Sequence, residues 1–409
     1  MSSVTQRQSD IDGLVAQLHA TADITDLTLD NRDKLLNAAR HLTIALETPV
    51  YALMTIAKWP VGHGALRVAL KIKLFERFEG EKTTIEELEA SCGMERVLLA
   101  RIMRALLCMG IFQEDGDGCY VHNVLSRPLR HAMTRAMIRG MAETTDIMPK
   151  LPDYLAVLGF RNPDDRHNSL FGYAHETDLN MYEWLQTHPE KMTIFNDYHE
   201  ANAHLNEENL QINLEHLLGP KFNDVGVVDS NGSGDKILFV DIGGGRGQSL
   251  KAFRKHMPGL KGRMIVQDLP KVIEDQTSEN GVEAMAHDFF SHQPVKGACI
   301  YFFRFVLHNW PESACRKILQ NTISAMDPRT SRIVINDFLL PKTEAAVFES
   351  FNDIQMMAFA GMERTETQWR QLLRGVGLTV RSFRYPEKGA RTPECLIEAV
   401  LEPRDSIPQ

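Results

Sequence analysis

The segment Phe239-Val240-Asp241-Ile242-Gly243-Gly244-Gly245-Arg246-Gly247 constrains the fold more than any other stretch of the 409 residues. An apolar run ends in an aspartate, glycine then fills four of five positions, and the amphipathic run QSLKAFRKH follows. That order predicts a strand, a tight turn and a helix, the opening unit of a doubly wound α/β sheet. Glycine is needed there because a β-carbon would block both the turn and the approach of a ligand to the backbone. Downstream, the apolar runs RMIVQD, EAMAHD, ACIYFF and SRIVIND alternate with helical patterns, so the sheet is expected to be mostly parallel. A late pair, LTVRSFRY and ECLIEAVLE, allows one antiparallel member.

The glycine spacing selects among ligands. In the dinucleotide pattern G-x-G-x-x-G counted from Gly243, the last glycine would fall on Gln248, which disfavours NAD. No lysine follows as in a phosphate-binding P-loop, which disfavours a nucleoside triphosphate. An acid ahead of a looser D-x-G-x-G-x-G suits S-adenosylmethionine, whose sulfonium and amino groups are cationic and which has no pyrophosphate. Asp268 closes the second strand, 27 residues after Asp241, where a carboxylate accepts hydrogen bonds from ribose hydroxyls. Asp288, at the end of the third strand in AHDFF, offers its carboxylate or the neighbouring amide to an adenine edge. Singly, each aspartate reads as a solvated loop residue. Together, at the ends of successive parallel strands, they converge on the crevice where such sheets bind ligands. The expected cofactor set is therefore Asp241, Gly243, Gly245, Asp268 with its neighbour Leu269, and Asp288 with its neighbour Phe289.

After the fourth strand comes YFFRFVLHNWPESACRKIL, which places His308 at the cofactor end of the sheet, just before a helix whose first turn can contain Pro311. A neutral imidazole there can remove a phenolic proton at physiological pH. Asp337, read as ending strand five in VINDFLLP, and Glu363, in AGMERTETQW, are two acids either of which could hold His308 in one tautomer. Asn336 beside Asp337 could suggest magnesium, but no further carboxylates cluster there in sequence, so no metal is expected. Phe171, Tyr198, His199, Phe305, Met356, Met357, Phe359 and Met362 are the expected walls for a flat apolar ring, against the reading that they are ordinary core residues.

The first half of the chain is different in kind. Residues 11 to 80 carry helical apolar spacing. Thr84 with Glu87 forms a capping-box pattern, Gly93 a turn, and Leu98, Leu99, Ile102, Leu106 and Leu107 are read as one face of a second helix. IFQE and CYVH then flank the turn sequence Asp115-Gly116-Asp117-Gly118, completing a winged-helix pattern. Such a module either places Arg96, Arg101 and Arg104 in a DNA groove or serves as a packing and dimerisation platform. The net charge of −9 favours the second reading, with no nucleic-acid partner. Six cysteines without C-x-x-C spacing are read as reduced structural thiols. The polar start MSSVTQRQSDIDGL does not resemble a signal peptide, and no run reaches the ~20 apolar residues of a membrane span, so a cytoplasmic location without membrane attachment is expected. The expected division is a helical and winged-helix domain over 1–149, bridging helices over 150–210, and a cofactor-binding domain over 211–409, with DVGVVDSNGSGD as the polar lead-in.

The stretches VDIGGGRGQSL, IVQDLPKVIED, AHDFF, LHNWPESACRKIL and ERTETQWRQLL resemble the plant caffeic-acid and flavonoid O-methyltransferases, and especially their fungal secondary-metabolite relatives. ALKIKLFERF, the winged-helix pattern and the FGYAHE and FNDYH region extend the resemblance over nearly the whole chain. The resemblance implies a Rossmann-like catalytic domain, S-adenosylmethionine as cofactor, a small aromatic substrate, and a homodimer built through the N-terminal domain. It also implies that Asp268, Asp288 and Arg304 contact the cofactor, that His308 is the base, and that Asp337 and Glu363 flank it. The chain departs from the family pattern at Asn309, where many relatives have Asp, and at Arg304, where plant members often have Lys. The expected reaction is methyl transfer to a phenolic hydroxyl. Two rivals are a fold relative that keeps the cofactor only as a fixed charge for dehydration or pericyclic chemistry, and a cofactor-sensing DNA binder.

Overall fold

The structure is a computed structural model and describes residues 11–18, 20–21, 28–205, 236–258, 260, 262–274, 281–343, 345–385 and 394–402. The polar stretch 224–235 and the expected boundary at 210 lie outside the described residues. The chain divides into two compact units, one comprising the segment through Trp59 and the other beginning at Pro60. None of the described helices is long and apolar enough to cross a membrane.

The first unit contains α1 (Leu29–Leu46), and α2 (Pro49–Lys71) begins in it. Its large apolar side chains are mostly in water: Ile44 is 72% exposed, Leu46 77% and Tyr51 71%.

The second unit opens with a small module. Thr84 caps α3 (Ile85–Cys92) in a full capping box with Glu87, and Gly93 ends that helix in the left-handed region at φ 67°. Helix α4 (Arg96–Cys108) buries Leu99, Met103 and Leu106. Leu98 does not share that face: it is 43% exposed, and Met103 takes the buried position instead. The hairpin of β2 (Phe112–Glu114) and β3 (Cys119–His122) pairs as expected, but a third strand, β1 (Lys82–Thr84), joins β3 antiparallel. Three residues are too few to show alternation in sequence. Three further helices follow, α5 (Ala132–Thr145), α6 (Leu151–Val157) and α7 (Leu170–His175), and then α8 (Met181–Gln186) and α9 (Pro189–Leu205). Gly140 lets α5 and α9 approach closely, since a β-carbon there would lie 2.4 Å from Tyr198 Cβ.

The C-terminal half is a doubly wound sheet. Strands β4 (Ile237–Ile242), β5 (Arg263–Asp268), β6 (Val282–Ala286), β7 (Ile300–Arg304) and β8 (Arg332–Leu340) run parallel, ordered β8-β7-β4-β5-β6. Beyond β8 lies β11 (Glu394–Leu401), antiparallel to it, and then β10 (Leu378–Arg384) at the edge. Strand β11 is thus the one antiparallel member among the described residues. The two-residue β9 (Arg364–Thr365) pairs beside the end of β8. Helices α10 (Gln248–His256), α11 (Pro270–Ile273), α12 (Glu312–Ile323), α13 (Val347–Met356) and α14 (Glu366–Arg374) complete the unit. The central strands are apolar on both faces, as a sheet covered by helices on each side requires. Because β4 is flanked by β5 on one side and β7 on the other, the strand order reverses beside it, which opens a crevice at its carboxyl end.

Candidate functional site

That crevice holds a cavity of about 360 Å³, lined by Asp241, Gly243, Gly244, Gly245, Asp268, Leu269, Asp288, Phe289 and Arg304 together with Tyr182 and Trp310. Every residue expected for the cofactor is on its wall. The turn after β4 is built on left-handed glycines, Gly243 at φ 70°, Gly245 at 58° and Gly247 at 76°. Gly244 is required for a different reason: a β-carbon there would lie 2.5 Å from the Asp241 carboxylate and 2.8 Å from Val266. The carboxylate of Asp268 accepts from the Gly245 N–H at 2.8 Å and from the Leu269 N–H at 2.7 Å. Burial pushes its pKa up, and those two amides hold it back. Asp288 lies two residues beyond β6, not at its end, and its carboxylate caps the turn by accepting from the Phe290 N–H at 2.9 Å.

Asp241 is the least satisfied group here. It is buried, and neither carboxylate oxygen has a hydrogen-bond partner among the described residues. Burial raises its pKa to about 7, Arg304 pulling against that and Asp268 adding to it. Leaving a buried carboxylate without a partner is costly unless a ligand supplies one. A cationic ligand does so, and the cavity volume falls in the range of small-molecule sites. These residues fit S-adenosylmethionine. Arg304 reaches the same wall but is already engaged: its Nε and Nη2 donate to Glu394, at the start of β11, at 3.2–3.4 Å.

A second cavity of about 220 Å³ adjoins the first. Tyr182, Phe195, His199, Asn202, Phe305 and Asn309 belong to both walls. Phe305 holds a left-handed φ of 52°, a strained conformation for a non-glycine residue, at the point where the cavities meet. His308 lines the second cavity from a single turn, Leu307–Asn309, and Pro311 caps α12 from outside the helix. The turn is fastened from below. Arg364, almost wholly buried, donates to the Leu307 and Trp310 carbonyls at 3.2 Å, and Cys315 Sγ donates to the same two carbonyls. The Met362 N–H donates to the His308 carbonyl at 2.9 Å, and Gly361 lies so close that a β-carbon would be 2.1 Å from that oxygen.

This stitching sets Glu363 behind the imidazole. His308 Nδ1 lies 2.7 Å from Glu363 Oε1, which also accepts from Asn352 Nδ2 at 2.6 Å. With Nδ1 taken, Nε2 is the nitrogen left for the cavity. Asp337 lies within β8, which runs on to Leu340. It is fully buried and makes no side-chain hydrogen bond among the described residues. The two acids therefore differ: Glu363 binds the ring, and Asp337 acts on it through its field. Burial alone would lower the His308 pKa, but Glu363 and then Asp337 outweigh it and raise the pKa to about 9. The imidazole thus favours its charged form more than the neutral base expected from the sequence. The reason is the pair of buried carboxylates behind it.

Of the expected wall residues, Phe171, Tyr198, His199, Phe305, Met356 and Phe359 line the second cavity. Met357 and Met362 do not. Met357 opens the single turn Met357–Phe359 that follows α13, and the backbone of Met362 is tied to the His308 carbonyl. Sequence reasoning missed Trp184, Phe338, Phe348 and Asn352 on this wall, and Arg166, Tyr182 and Trp310 on the first. The aromatic concentration between 171 and 202 was the available signal for Tyr182 and Trp184. None marked Phe348. No group of three or more metal-ligating side chains occurs among the described residues.

A glycine-turn cavity at the carboxyl end of a parallel sheet, with a carboxylate-backed histidine in an adjoining aromatic cavity, fits a protein that binds a nucleoside cofactor beside a small aromatic molecule. Residues 233–379 match the family model described as an O-methyltransferase domain. Demethylsterigmatocystin 6-O-methyltransferase from Aspergillus flavus is 30% identical, covering 83% of this chain and 86% of that protein. Two solved structures match throughout. OxaC in complex with SAH and oxaline has a TM-score of 0.79 at 27% identity, covering 97% of this chain and 98% of that one. A structure described as a pericyclic reaction enzyme has a TM-score of 0.79 at 28% identity, covering 97% and 100%. The chain belongs to the class I S-adenosylmethionine-dependent O-methyltransferases.

Proposed function

We propose that the chain methylates a hydroxyl of a small aromatic secondary metabolite, with His308 as general base and the second cavity as the acceptor site. The observation that carries this reading is the 2.7 Å contact between His308 Nδ1 and Glu363 at the wall of a cavity that shares lining residues with the cofactor crevice. S-adenosylmethionine, when bound, supplies an electrophilic methyl group on a sulfonium. Gly243, Gly245, Asp241, Asp268 and Asp288 would hold that cofactor, and Phe171, Tyr198, Met356 and Phe359 would clamp a flat ring. His308 Nε2 takes the hydroxyl proton, leaving a phenolate oxygen at the junction. Glu363 keeps the proton-bearing Nδ1 turned away and stabilises the imidazolium that results. A phenol of pKa about 10 facing an imidazole raised to about 9 makes this transfer nearly even. Phenols suit the base better than aliphatic alcohols for that reason.

A pH profile tests the assignment. Only neutral His308 accepts a proton, so kcat/KM should rise with pH through the raised pKa. Glu363→Gln removes both the charge and the charged hydrogen bond that raise it, and should move the rising limb to lower pH while reducing the maximum rate. Asp337→Asn should move it in the same direction by less, because Asp337 acts by charge alone. A limb that does not move in Glu363→Gln removes His308 from the base role.

A second reading, in which the bound cofactor only presents a positive charge for a pericyclic reaction, is favoured by the likeness to the pericyclic reaction enzyme. A carboxylate-backed histidine beside the acceptor cavity favours the transfer reading over it. A DNA-binding role is disfavoured by Arg96, which is held by Glu86 at 2.9 Å and Glu89 at 2.8 Å.

We also propose that the chain works as a homodimer through its N-terminal domain. The supporting observation is the row of exposed apolar side chains on α1 and in the first part of α2, including Ile44, Leu46, Tyr51, Leu53 and Ile56. A patch of that kind is covered in stable proteins. Light scattering should give the mass of two chains at every working concentration. The mass of one chain throughout would contradict the dimer.

A further inference from the structure

Arg364 is a buried cation that the proposed reaction leaves without a part. It is 2% exposed, pairs in β9 with Leu339 of β8, and holds its guanidinium carbon 5.2 Å from the centre of the Trp369 ring. Its Nη1 donates to the Leu307 carbonyl and, at 3.4 Å, to that of Met362. Its Nη2 donates to the Trp310 carbonyl and, at 3.5 Å, to Cys315 Sγ. None of these acceptors is a carboxylate, although Glu363 is the preceding residue. A guanidinium buried on neutral acceptors is costly unless charges further off compensate it.

The charges that do so are those around the base. Near His308 and Arg364 stand Glu363 on the same segment as Arg364, Asp337 on β8, Asp353 on α13, Cys315 on α12 and His199 on α9. Glu363 and Asp337 are fully buried, and the half-buried Asp353 accepts from the Glu363 N–H at 2.9 Å. With the imidazole protonated, two cations meet the two fully buried acids. With it neutral, as a base must be, Arg364 alone faces both. Resting on His308 as the base, we infer that Arg364 is a positioning residue for methyl transfer: it fixes the turn that carries His308 and, by balancing Glu363 and Asp337, lets the imidazole be neutral. Burial lowers the His308 pKa, Glu363 and Asp337 raise it, and Arg364 works against the two acids. Burial also raises the Asp337 pKa, which His308 and Arg364 both restrain. Removing the Arg364 charge leaves two acids holding the His308 proton, so that proton should come off at higher pH.

Nuclear magnetic resonance of ring-labelled histidine in the S-adenosylhomocysteine-loaded protein tests this, the His308 signal being assigned by its loss in His308→Gln. Arg364→Gln keeps a donor for the carbonyls and loses the charge, and its His308 signal should titrate about one pH unit above the wild type. Arg364→Lys, which restores a charge without the planar fork, should bring the midpoint most of the way back. A purely structural role gives no such rescue. Where Arg364→Gln alone does not fold, its combination with Glu363→Gln removes one charge of each sign and should titrate above Glu363→Gln alone. With 2-naphthol as acceptor, the rising limb of kcat/KM should move with the His308 midpoint. An unmoved or lowered midpoint in either comparison overturns the proposal, as does a midpoint in Arg364→Lys as high as in Arg364→Gln. A raised midpoint with an unmoved limb supports the charge role of Arg364 and counts against His308 as the base.

Discussion

His308→Ala should lower turnover by ~10²–10⁴-fold, the usual range for loss of a general base, with S-adenosylmethionine affinity nearly unchanged. The separation is structural. His308 lines the second cavity, and the groups that would hold the cofactor line the first. The deficit should shrink as pH rises toward the phenol pKa of about 10, because the substrate then ionises without help. Because Glu363 and Asp337 hold the His308 pKa above its ordinary value, the wild-type rate should itself climb with pH over part of the same range. The two curves therefore converge only near and above the phenol pKa. A His308→Ala variant with wild-type turnover at neutral pH would remove the base, and a deficit that stays constant at high pH would make His308 a positioning residue.

Gly245→Val should abolish measurable cofactor binding, a loss of at least ~100-fold, while the rest of the fold persists. Gly245 sits at φ 58°, a region that costs a β-carbon about 1–2 kcal/mol and is worse for a branched one. Space around the side chain is not the obstacle, since the nearest atom would be Gln248 Oε1 at 3.7 Å. The expected damage comes from the backbone. Relaxing φ turns the Gly245 N–H away from Asp268, disturbs the carboxylate proposed to bind the ribose, and moves a branched side chain toward the cavity. Calorimetric titration and a melting curve on the same sample check both halves. Near-normal affinity in a folded variant would move the cofactor site away from this turn.

Much of this was legible in the chain because each signal was local. The turn after β4 shows itself in four glycines, and the capping box at Thr84 in two residues three apart. The placing of Asp241, Asp268 and Asp288 on one cavity follows from strand order alone, since successive parallel strands end at one edge. What stayed hidden depends on distance across the fold. Nothing local in Glu363 or Asp337 says which one reaches the ring. That is decided by Arg364 and Met362 pinning one loop to the His308 turn. The upward pull on the His308 pKa was hidden for the same reason: two acids distant in sequence act together only once packed. Met357 and Met362 looked like wall residues by composition, yet their places are set by a turn and a backbone hydrogen bond that carry no hydrophobic pattern. Gly244 was hidden within a run of glycines, its role apparent only from the Asp241 carboxylate beneath it.

The most direct measurement uses S-adenosylmethionine labelled in its methyl group, a phenolic aromatic acceptor, and the wild-type protein in a single turnover. Product and spent cofactor are quantified together by mass spectrometry. Methyl transfer to a hydroxyl predicts the label on the acceptor oxygen and one S-adenosylhomocysteine for each product formed. Product formed with the cofactor intact and the label still on sulfur would contradict it, and would make the bound cation a fixed charge.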